Sequence, residues 1–409
     1  MKILALNCGS SSIKFKLYEE MTALTEGTAE RIGLEGSFLK YTTETGKKII
    51  TKELKSHTAA LREIMHIIAK HSLVEDITDI KAVGHRVVHG GEAFTKSIII
   101  DKNVEAKIQE LIPLSPLHNP ANLSGIKAAK HFLKDAIHVA VFDTAFHQSI
   151  PEEVYRYAVP WEWYDRYKVR KYGFHGTSHL YVSKRAAVLL GKHASECDLI
   201  TMHIGNGVSC AAIKNGMSVD TSMGMTPLDG AIMGTRTGEI DPAVSFYILD
   251  HTDYAPHEVY DIMNTESGLM GITGGYSDRR DIISQAKKGD ALCTLALKME
   301  GHRLKQYIGS YLAILGRADA IVFTAGVGEN SAYIRALAVE GLEEFGIELD
   351  KEKNHTVSSA SGEQLISTTN SKIKIFMIPT NEEQVLLEDV MGVLDGSYSD
   401  HMHHKYSFA

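Results

Sequence analysis

A hairpin written twice constrains this chain more than any other feature. Near the start, Asn7-Cys8-Gly9-Ser10-Ser11-Ser12-Ile13-Lys14 lies between the apolar runs Ile3 to Leu6 and Ile13 to Leu17. The first run reads as a buried strand. In the second, Ile13, Phe15 and Leu17 alternate with Lys14, Lys16 and Tyr18, as in a half-buried strand. The turn offers backbone N–H groups and the hydroxyls of Ser10 and Ser12 to a phosphate, and Lys14 adds a positive charge behind them. Asn7 ends the first strand with an amide oxygen suited to Mg²⁺ or its water shell. Alone, this segment reads equally as a solvated Ser-rich hairpin. About two hundred residues later the pattern returns: Leu199 to Ile204, the turn Gly205-Asn206-Gly207, then Val208 to Ile213, turning again at Asn215-Gly216. One such hairpin in each half marks a duplicated fold.

Composition narrows the field. The 409 residues suit two domains, and 44% hydrophobic with 23% charged residues is ordinary globular composition. A net charge of −8 argues against nucleic-acid or anionic-membrane surfaces as partners. Cys8, Cys197, Cys210 and Cys293 form no C-x-x-C pair and read as reduced thiols of a cytoplasmic protein. No apolar run is long enough for a signal-peptide core or a membrane span. Gly46-Lys47 is followed by Lys48 and Gly191-Lys192 by His193, so there is no G-x-x-x-x-G-K-[ST] loop; no G-x-G-x-x-G occurs either.

Periodicity predicts helices over Thr58 to Ser72, Pro120 to Phe132, Thr177 to Leu190 with a stop at Gly191, and Glu383 to Val393. Asp290 to Leu315 reads as helical except at Gly301 and Gly309. Strands are expected at Ala82 to Val88, Ile137 to Phe142, Ala320 to Thr324 and Ile373 to Ile378, the third feeding a Gly-rich turn and then a helix from about Ser331. The chain crosses between lobes near Ser149-Ile150-Pro151 and returns near Pro379 to Glu383, predicting 1–148, 149–380 and 381–409 as its segments. The tail, His401-Met402-His403-His404, has side chains able to catch a metal but reads rather as a mobile polar end.

Several segments carry chemistry. Arg86 and Val88 point to one face of a strand, where a guanidinium beside an apolar wall suits a small carboxylate; the alternative is a structural ion pair bridging the lobes. His85 and His89 read as structural. Asp143 ends a buried strand, where open α/β sheets place ligands. His175 sits between glycines before a helix, and Arg236 lies in a flexible Gly/Thr-rich loop.

With these segments in place, the whole chain resembles the acetate kinase family of acyl-phosphate-forming kinases. The matching stretches are NCGSSSIK from Asn7, GHRVVHGG from Gly84, PLHNP from Pro116, FDTAFH from Phe142 and YGFHGTSH from Tyr172. They continue with HIGNGVS from His203, TPLDG from Thr226, MGTRTGEIDP from Met233, TAGVGENS from Thr324 and PTNEE from Pro379. The resemblance implies a duplicated actin-like ATPase (ribonuclease H-like) α/β fold, with two lobes around a nucleotide cleft. It implies reversible, in-line transfer of the ATP γ-phosphoryl group to acetate, giving acetyl phosphate and ADP, in a homodimer. By it, Asn7 and Glu382 match Mg²⁺ ligands, Mn²⁺ being a substitute, and Lys14 a phosphate contact. Arg86 matches the acetate-binding arginine, and Asp143, His175 and Arg236 the catalytic set. Val88, Leu117, Phe174 and Pro227 match the methyl pocket. His203, Ile204, Gly205, Asn206 and Gly207, then Asp278, Arg279 and Arg280, then Gly326, Val327, Gly328, Glu329 and Asn330, match the nucleotide-binding segments. The small side chains of Gly326-Val327-Gly328 point to ATP rather than pyrophosphate as donor.

An acid of pKa about 4–5 is already ionised and needs no general base. The task is electrostatic, so Asp143 is expected to organise Mg²⁺ and its waters, and lobe closure to exclude solvent. Propionate kinase is the rival within the class, differing by one methylene. A non-metabolic actin-like ATPase would leave Arg86, His175 and Arg236 without a task. A serine acyl-transferase built on Ser11-x-x-Lys14 would leave the nucleotide turns unexplained.

Overall fold

The alternation at Ile13, Phe15 and Leu17 becomes one face of a twisted sheet. A computed structural model describes residues 1–43 and 46–409, which fall into two units. The first comprises Met1–Phe146 and Asn381–Tyr406, the second His147–Thr380 and Ser407–Ala409. Among the described residues no helix is long and apolar enough to cross a membrane.

The first unit is built on strands β1 (Lys2–Cys8), β2 (Ser12–Glu19), β3 (Thr22–Glu30), β4 (Phe38–Thr43), β5 (Gly46–Thr51), β6 (Ile80–Val87), β7 (Ile98–Ile99) and β8 (Ile137–Phe142). Their order across the sheet is β5-β4-β3-β2-β1-β6-β8-β7, with β1, β6 and β8 parallel and the other pairs antiparallel. One face packs Leu4, Leu6, Ile13, Phe15 and Leu17 against Leu61, Ile64 and Ile68 of helix His57–Lys70 and Ala128 and Ala129 of helix Asn119–Phe132. The opposite face packs Ile3, Ala5, Tyr18, Ala82, Val139 and Val141 under Leu386, Leu387 and Val390 of helix Glu382–Asp395. Tyr18, expected on a polar face, is therefore buried, and its hydroxyl donates to Glu383 (3.2 Å). The helix sits so close that a methyl at Gly84 would overlap Leu386 and Val390.

The second unit repeats the plan. Strands β9 (Leu199–Ile204), β10 (Val208–Lys214), β11 (Met217–Thr221), β12 (Ala320–Thr324), β13 (Gln364–Leu365) and β14 (Lys374–Met377) run in the order β11-β10-β9-β12-β14-β13. The run β3-β2-β1-β6-β8 thus has its counterpart in β11-β10-β9-β12-β14, with the same parallel and antiparallel senses. The duplicated ribonuclease H-like fold of the actin-like ATPases is present, one copy in each unit.

Several expectations are corrected. Strand β6 stops at Val87, so Val88 lies just beyond it. Residues Ala291–Leu315 form one unbroken helix. Gly301 lets helix Ala332–Val339 approach, since a methyl there would stand 2.9 Å from Leu337 Cβ. The Gly-rich turn is a short helix, Ala325–Asn330, entered through Ala325 at φ 65°. His147 joins the second unit because its ring bonds Ser218 Oγ (2.8 Å) and the Phe174 carbonyl (3.0 Å).

The tail is docked, not loose. His401 Nε2 and the Tyr406 hydroxyl donate to the buried Asp389 carboxylate (3.1 and 2.7 Å), which also accepts from Ser97 Oγ (2.6 Å). Ser407–Ala409 belong to the second unit, where Phe408 packs on Tyr181 (4.6 Å between ring centroids) and its carbonyl accepts from Arg185 (2.7 Å).

Candidate active site

In the first unit, register does the positioning. Asn7 pairs with Lys14 across β1 and β2 and with Arg86 across β1 and β6, so the three form one row, on one face, near the ends of the parallel strands. Lys14 is exposed. The Gly9 to Ser12 turn closes through a Gly9 N–H bond to the Ser12 carbonyl (2.8 Å), and His57 Nε2 donates to the Gly9 carbonyl (2.7 Å). Ser10 is exposed and Ser12 half-buried. Asn122 ties this turn to the arginine strand: its amide nitrogen donates to the Cys8 carbonyl (2.8 Å) and its oxygen accepts from Val88 N (3.0 Å). Asn119, one turn earlier, brackets the His89 backbone with bonds of 3.2 and 3.1 Å.

Arg86 is an ion-pair partner as well as a candidate substrate group, though within one unit and not between lobes. Its Nε and Nη2 donate to the two oxygens of Asp143 at 2.9 and 2.7 Å. The fork expected to hold a substrate carboxylate is thus engaged, leaving Nη1 without a protein partner among the described residues. Burial pushes the Asp143 carboxyl above its usual pKa; Arg86 opposes this and the nearby Glu382 charge adds to it. Asp143, Glu382 and Asn7 are all hard oxygen donors. No three His, Cys, Asp or Glu side chains among the described residues form a metal cage. Two carboxylates and an amide fit Mg²⁺, which keeps several waters and shares its shell with phosphates.

In the second unit, the Gly205-Asn206-Gly207 turn closes through a Gly205 N–H bond to the Gly207 carbonyl (3.0 Å). The loop bearing Arg236 is pinned onto it, with Gly234 N donating to the Asn206 carbonyl (3.1 Å) and Leu269 N to the Met233 carbonyl (2.9 Å). The loop expected to be flexible is therefore held. Arg236 Nη1 donates to the Pro227 carbonyl (3.3 Å), and burial lowers the guanidinium's pKa from its ordinary value. A methyl on Gly207 would stand 3.5 Å from His175 Nε2 and 3.6 Å from Arg236 Nη1, so the two candidate phosphoryl-stabilising groups converge on the turn. His175 occupies φ 56°, a left-handed position that disfavours a side chain, at the start of helix Gly176–Leu190. Its ring stacks on His203 (centroids 4.0 Å apart).

A cavity of about 570 Å³ is lined by Asn206, Ser277, Asp278, Arg279, Arg280, Ile283, Gly326, Val327, Asn330 and Ser331. It draws on all three segments matched to nucleotide binding, and its size suits a nucleoside. A methyl built on Gly326 meets nothing within 4 Å. The exposed Arg280 pairs with Asp278 and holds that carboxyl down near pKa 2.

Two matched residues have their polar ends engaged by the protein: Arg279, although it lines the cavity, and Glu329, which lies outside its lining. Arg279 is buried, with Nε on Glu300 (2.6 Å) and Nη1 on the Gly205 carbonyl (2.9 Å). Glu329 accepts from Thr380 N (3.0 Å). Of the four apolar-pocket residues, Val88 and Phe174 are buried, Pro227 is half-buried and Leu117 is 47% exposed.

Asn122, Glu300 and Arg335 also brace these segments, and no motif marks them in the sequence. Arg335 is fully buried and caps the end of helix Ala325–Asn330, donating to the carbonyls of Gly328 (2.9 Å) and Glu329 (2.8 Å). The one local signal was the Asn119, Asn122 spacing, which places two amides on one helix face.

The sequence model of the acetokinase family matches residues 2–388. Acetate kinase of Geobacter sulfurreducens is 53% identical over 100% of this chain and 98% of its own length. The crystal structure of Porphyromonas gingivalis acetate kinase superposes with a TM-score of 0.91 at 44% identity, over 96% of this chain and 99% of that one. A propionate kinase from Francisella tularensis superposes at 0.89 and 40% identity, over the same 96% and 99%. With a family match across nearly its whole length, on a fold and site of this kind, the chain belongs to the acetokinase family.

Proposed function

We propose that the chain transfers the γ-phosphoryl group of ATP to acetate, reversibly, giving acetyl phosphate and ADP. The observation that carries the kinase reading is the nucleoside-sized cavity joining Asn206, Asp278 to Arg280, and Gly326, Val327 and Asn330. Acetate as acceptor rests on the acetate kinases that the chain resembles.

Adenosine enters that cavity beside Gly326 and Val327, and the Gly205 to Gly207 turn meets the phosphates. The acid arrives already ionised, and Arg86 Nη1 meets its carboxylate while Asp143 holds the rest of the guanidinium in place. Val88, Leu117, Phe174 and Pro227 take the methyl group. His175 and Arg236 donate to the transferring phosphoryl oxygens, and Lys14 with the serine turn offsets the remaining phosphate charge. Asn7 and Glu382, with Asp143 nearby, would hold Mg²⁺ or Mn²⁺, which supplies charge neutralisation on the phosphates when bound.

A homodimer is supported by helix Ala243–His251, where Val244, Phe246 and Tyr247 are 47%, 67% and 62% exposed. Four buried cysteines without disulfides support a reducing, cytoplasmic setting.

The second reading, propionate as acceptor, is favoured by the likeness to the propionate kinase structure. Measuring kcat/KM for acetate, propionate and butyrate by hydroxamate trapping decides between them. Acetate is expected to lead propionate by roughly 10-fold or more, the worth of one methylene in a fitted pocket. A propionate lead reverses the assignment, and ATP hydrolysis without acyl phosphate removes the kinase reading.

A further inference from the structure

Behind His175 the second unit carries a buried chain of polar side chains that supports neither a strand ladder nor a helix cap. His175 Nδ1 lies 2.8 Å from Ser209 Oγ, which lies 2.8 Å from His179 Nε2; His179 Nδ1 lies 2.7 Å from Thr201 Oγ1. Ser209, His179 and Thr201 are all 0% exposed. Burial, reinforced by His147 and His203, drives the pKa of His179 well below its ordinary value, so that ring carries one hydrogen.

With both rings neutral and the Ser209 hydroxyl hydrogen kept within the chain, the bonds can run in two directions. In one, Thr201 donates to His179 Nδ1, His179 Nε2 donates to Ser209, and Ser209 donates to His175 Nδ1. A neutral His175 then bears its hydrogen on Nε2. In the reverse direction His175 donates from Nδ1, and its Nε2 carries a lone pair in place of a hydrogen. Nε2 is the nitrogen beside the Gly207 turn, 3.5 Å from a methyl position there, and Arg236 Nη1 approaches the same position to 3.6 Å. An anionic phosphoryl oxygen there accepts from an N–H and is repelled by a lone pair, which selects the first direction.

We propose that Ser209, backed by His179 and Thr201, is a positioning residue that fixes His175 as an Nε2–H donor toward the transferring phosphoryl group. His175 then donates without needing a positive charge, and the stack on His203 holds its plane. This rests on the reading of His175 as a phosphoryl-stabilising residue.

Four variants of the full-length protein test it: Ser209→Ala, Thr201→Val, His175→Ala and the Ser209→Ala/His175→Ala pair. Ser209→Ala is expected to lower kcat roughly 10- to 100-fold, the range for losing a bond that orients a functional histidine, with KM for ATP changed less than about threefold. Thr201→Val moves kcat the same way by a smaller factor, and as a near-isostere it carries the test if Ser209→Ala does not fold. In the His175→Ala background, Ser209→Ala should cost nothing more, whereas a merely structural role would add its loss. Nitrogen-15 spectra of histidine-labelled protein with bound nucleotide should show His175 as the Nε2–H tautomer, mixed with the other in Ser209→Ala. Wild-type kcat in Ser209→Ala alongside an inactive His175→Ala, additive losses, or an Nδ1–H tautomer in the wild type each overturn the proposal. Near-normal turnover of His175→Ala overturns instead the reading of His175 on which it stands.

Discussion

At Val88 the side chain is buried, and its backbone N–H is held by Asn122, two residues past the Arg86 position. Leu117, matched to the same pocket by the family resemblance, is half exposed and would offer a softer wall. Val88→Ala should therefore shift acid preference more than Leu117→Ala. Removing two methyl-sized groups should swing the acetate-to-propionate ratio by about 1–2 kcal/mol, at about 0.8 kcal/mol per methylene, with the KM for ATP unchanged. Measuring kcat/KM for both acids in the two variants checks this, and an unchanged ratio in Val88→Ala removes Val88 from the pocket. Asn7, Lys14, Arg86 and Asp143 were legible as candidates because each lies at a strand end that local alternation reveals. Asn122, Ser209 and Glu300 were not. A buried polar residue announces itself only through its partner, and these partners lie on other elements.

Among the elements, glycine propensity predicts helix breaks that packing against neighbours removes. Gly301 sits inside an unbroken helix because close packing against Leu337 outweighs the roughly 1 kcal/mol that glycine costs in a helix. Glycine propensity likewise predicts a turn at Ala325–Asn330, where the chain forms a short helix. Arg335 satisfies its last carbonyls, while burial lowers the arginine's pKa to about 10. Gly326 lines the nucleoside-sized cavity with open space where its side chain would project. Gly326→Leu is therefore expected to raise the KM for ATP at least roughly 10-fold, with stability unchanged within about 0.5 kcal/mol because no packed neighbour is displaced. ATP titration and thermal melting together check this; unaltered ATP kinetics would place the adenosine elsewhere.

For the whole molecule, the C-terminal segment is the largest departure from the sequence reading. It has no periodicity, yet Tyr406 and His401 share the buried Asp389 carboxylate with Ser97. Tyr406→Phe deletes one hydrogen bond to a buried charge and should destabilise the first unit by about 1.5–3 kcal/mol. Urea unfolding followed by a probe in that unit measures it, and a mobile tail would give no change.

The sequence by itself determined the strands of the two Gly/Ser/Asn hairpins, the parallel strands β6, β8, β12 and β14 beside them, and the duplication, because apolar runs and turn chemistry are local; its motifs carried the family resemblance. It also marked most of the residues that meet in the second unit's cavity. Only the tertiary structure decided which way the polar side chains face: Arg86 on Asp143, Arg279 on Glu300, Glu329 on Thr380, and the tail on Asp389. A charge taken out of water must find a partner, and that partner is chosen by the packing of distant segments, not by the residues beside it in the chain.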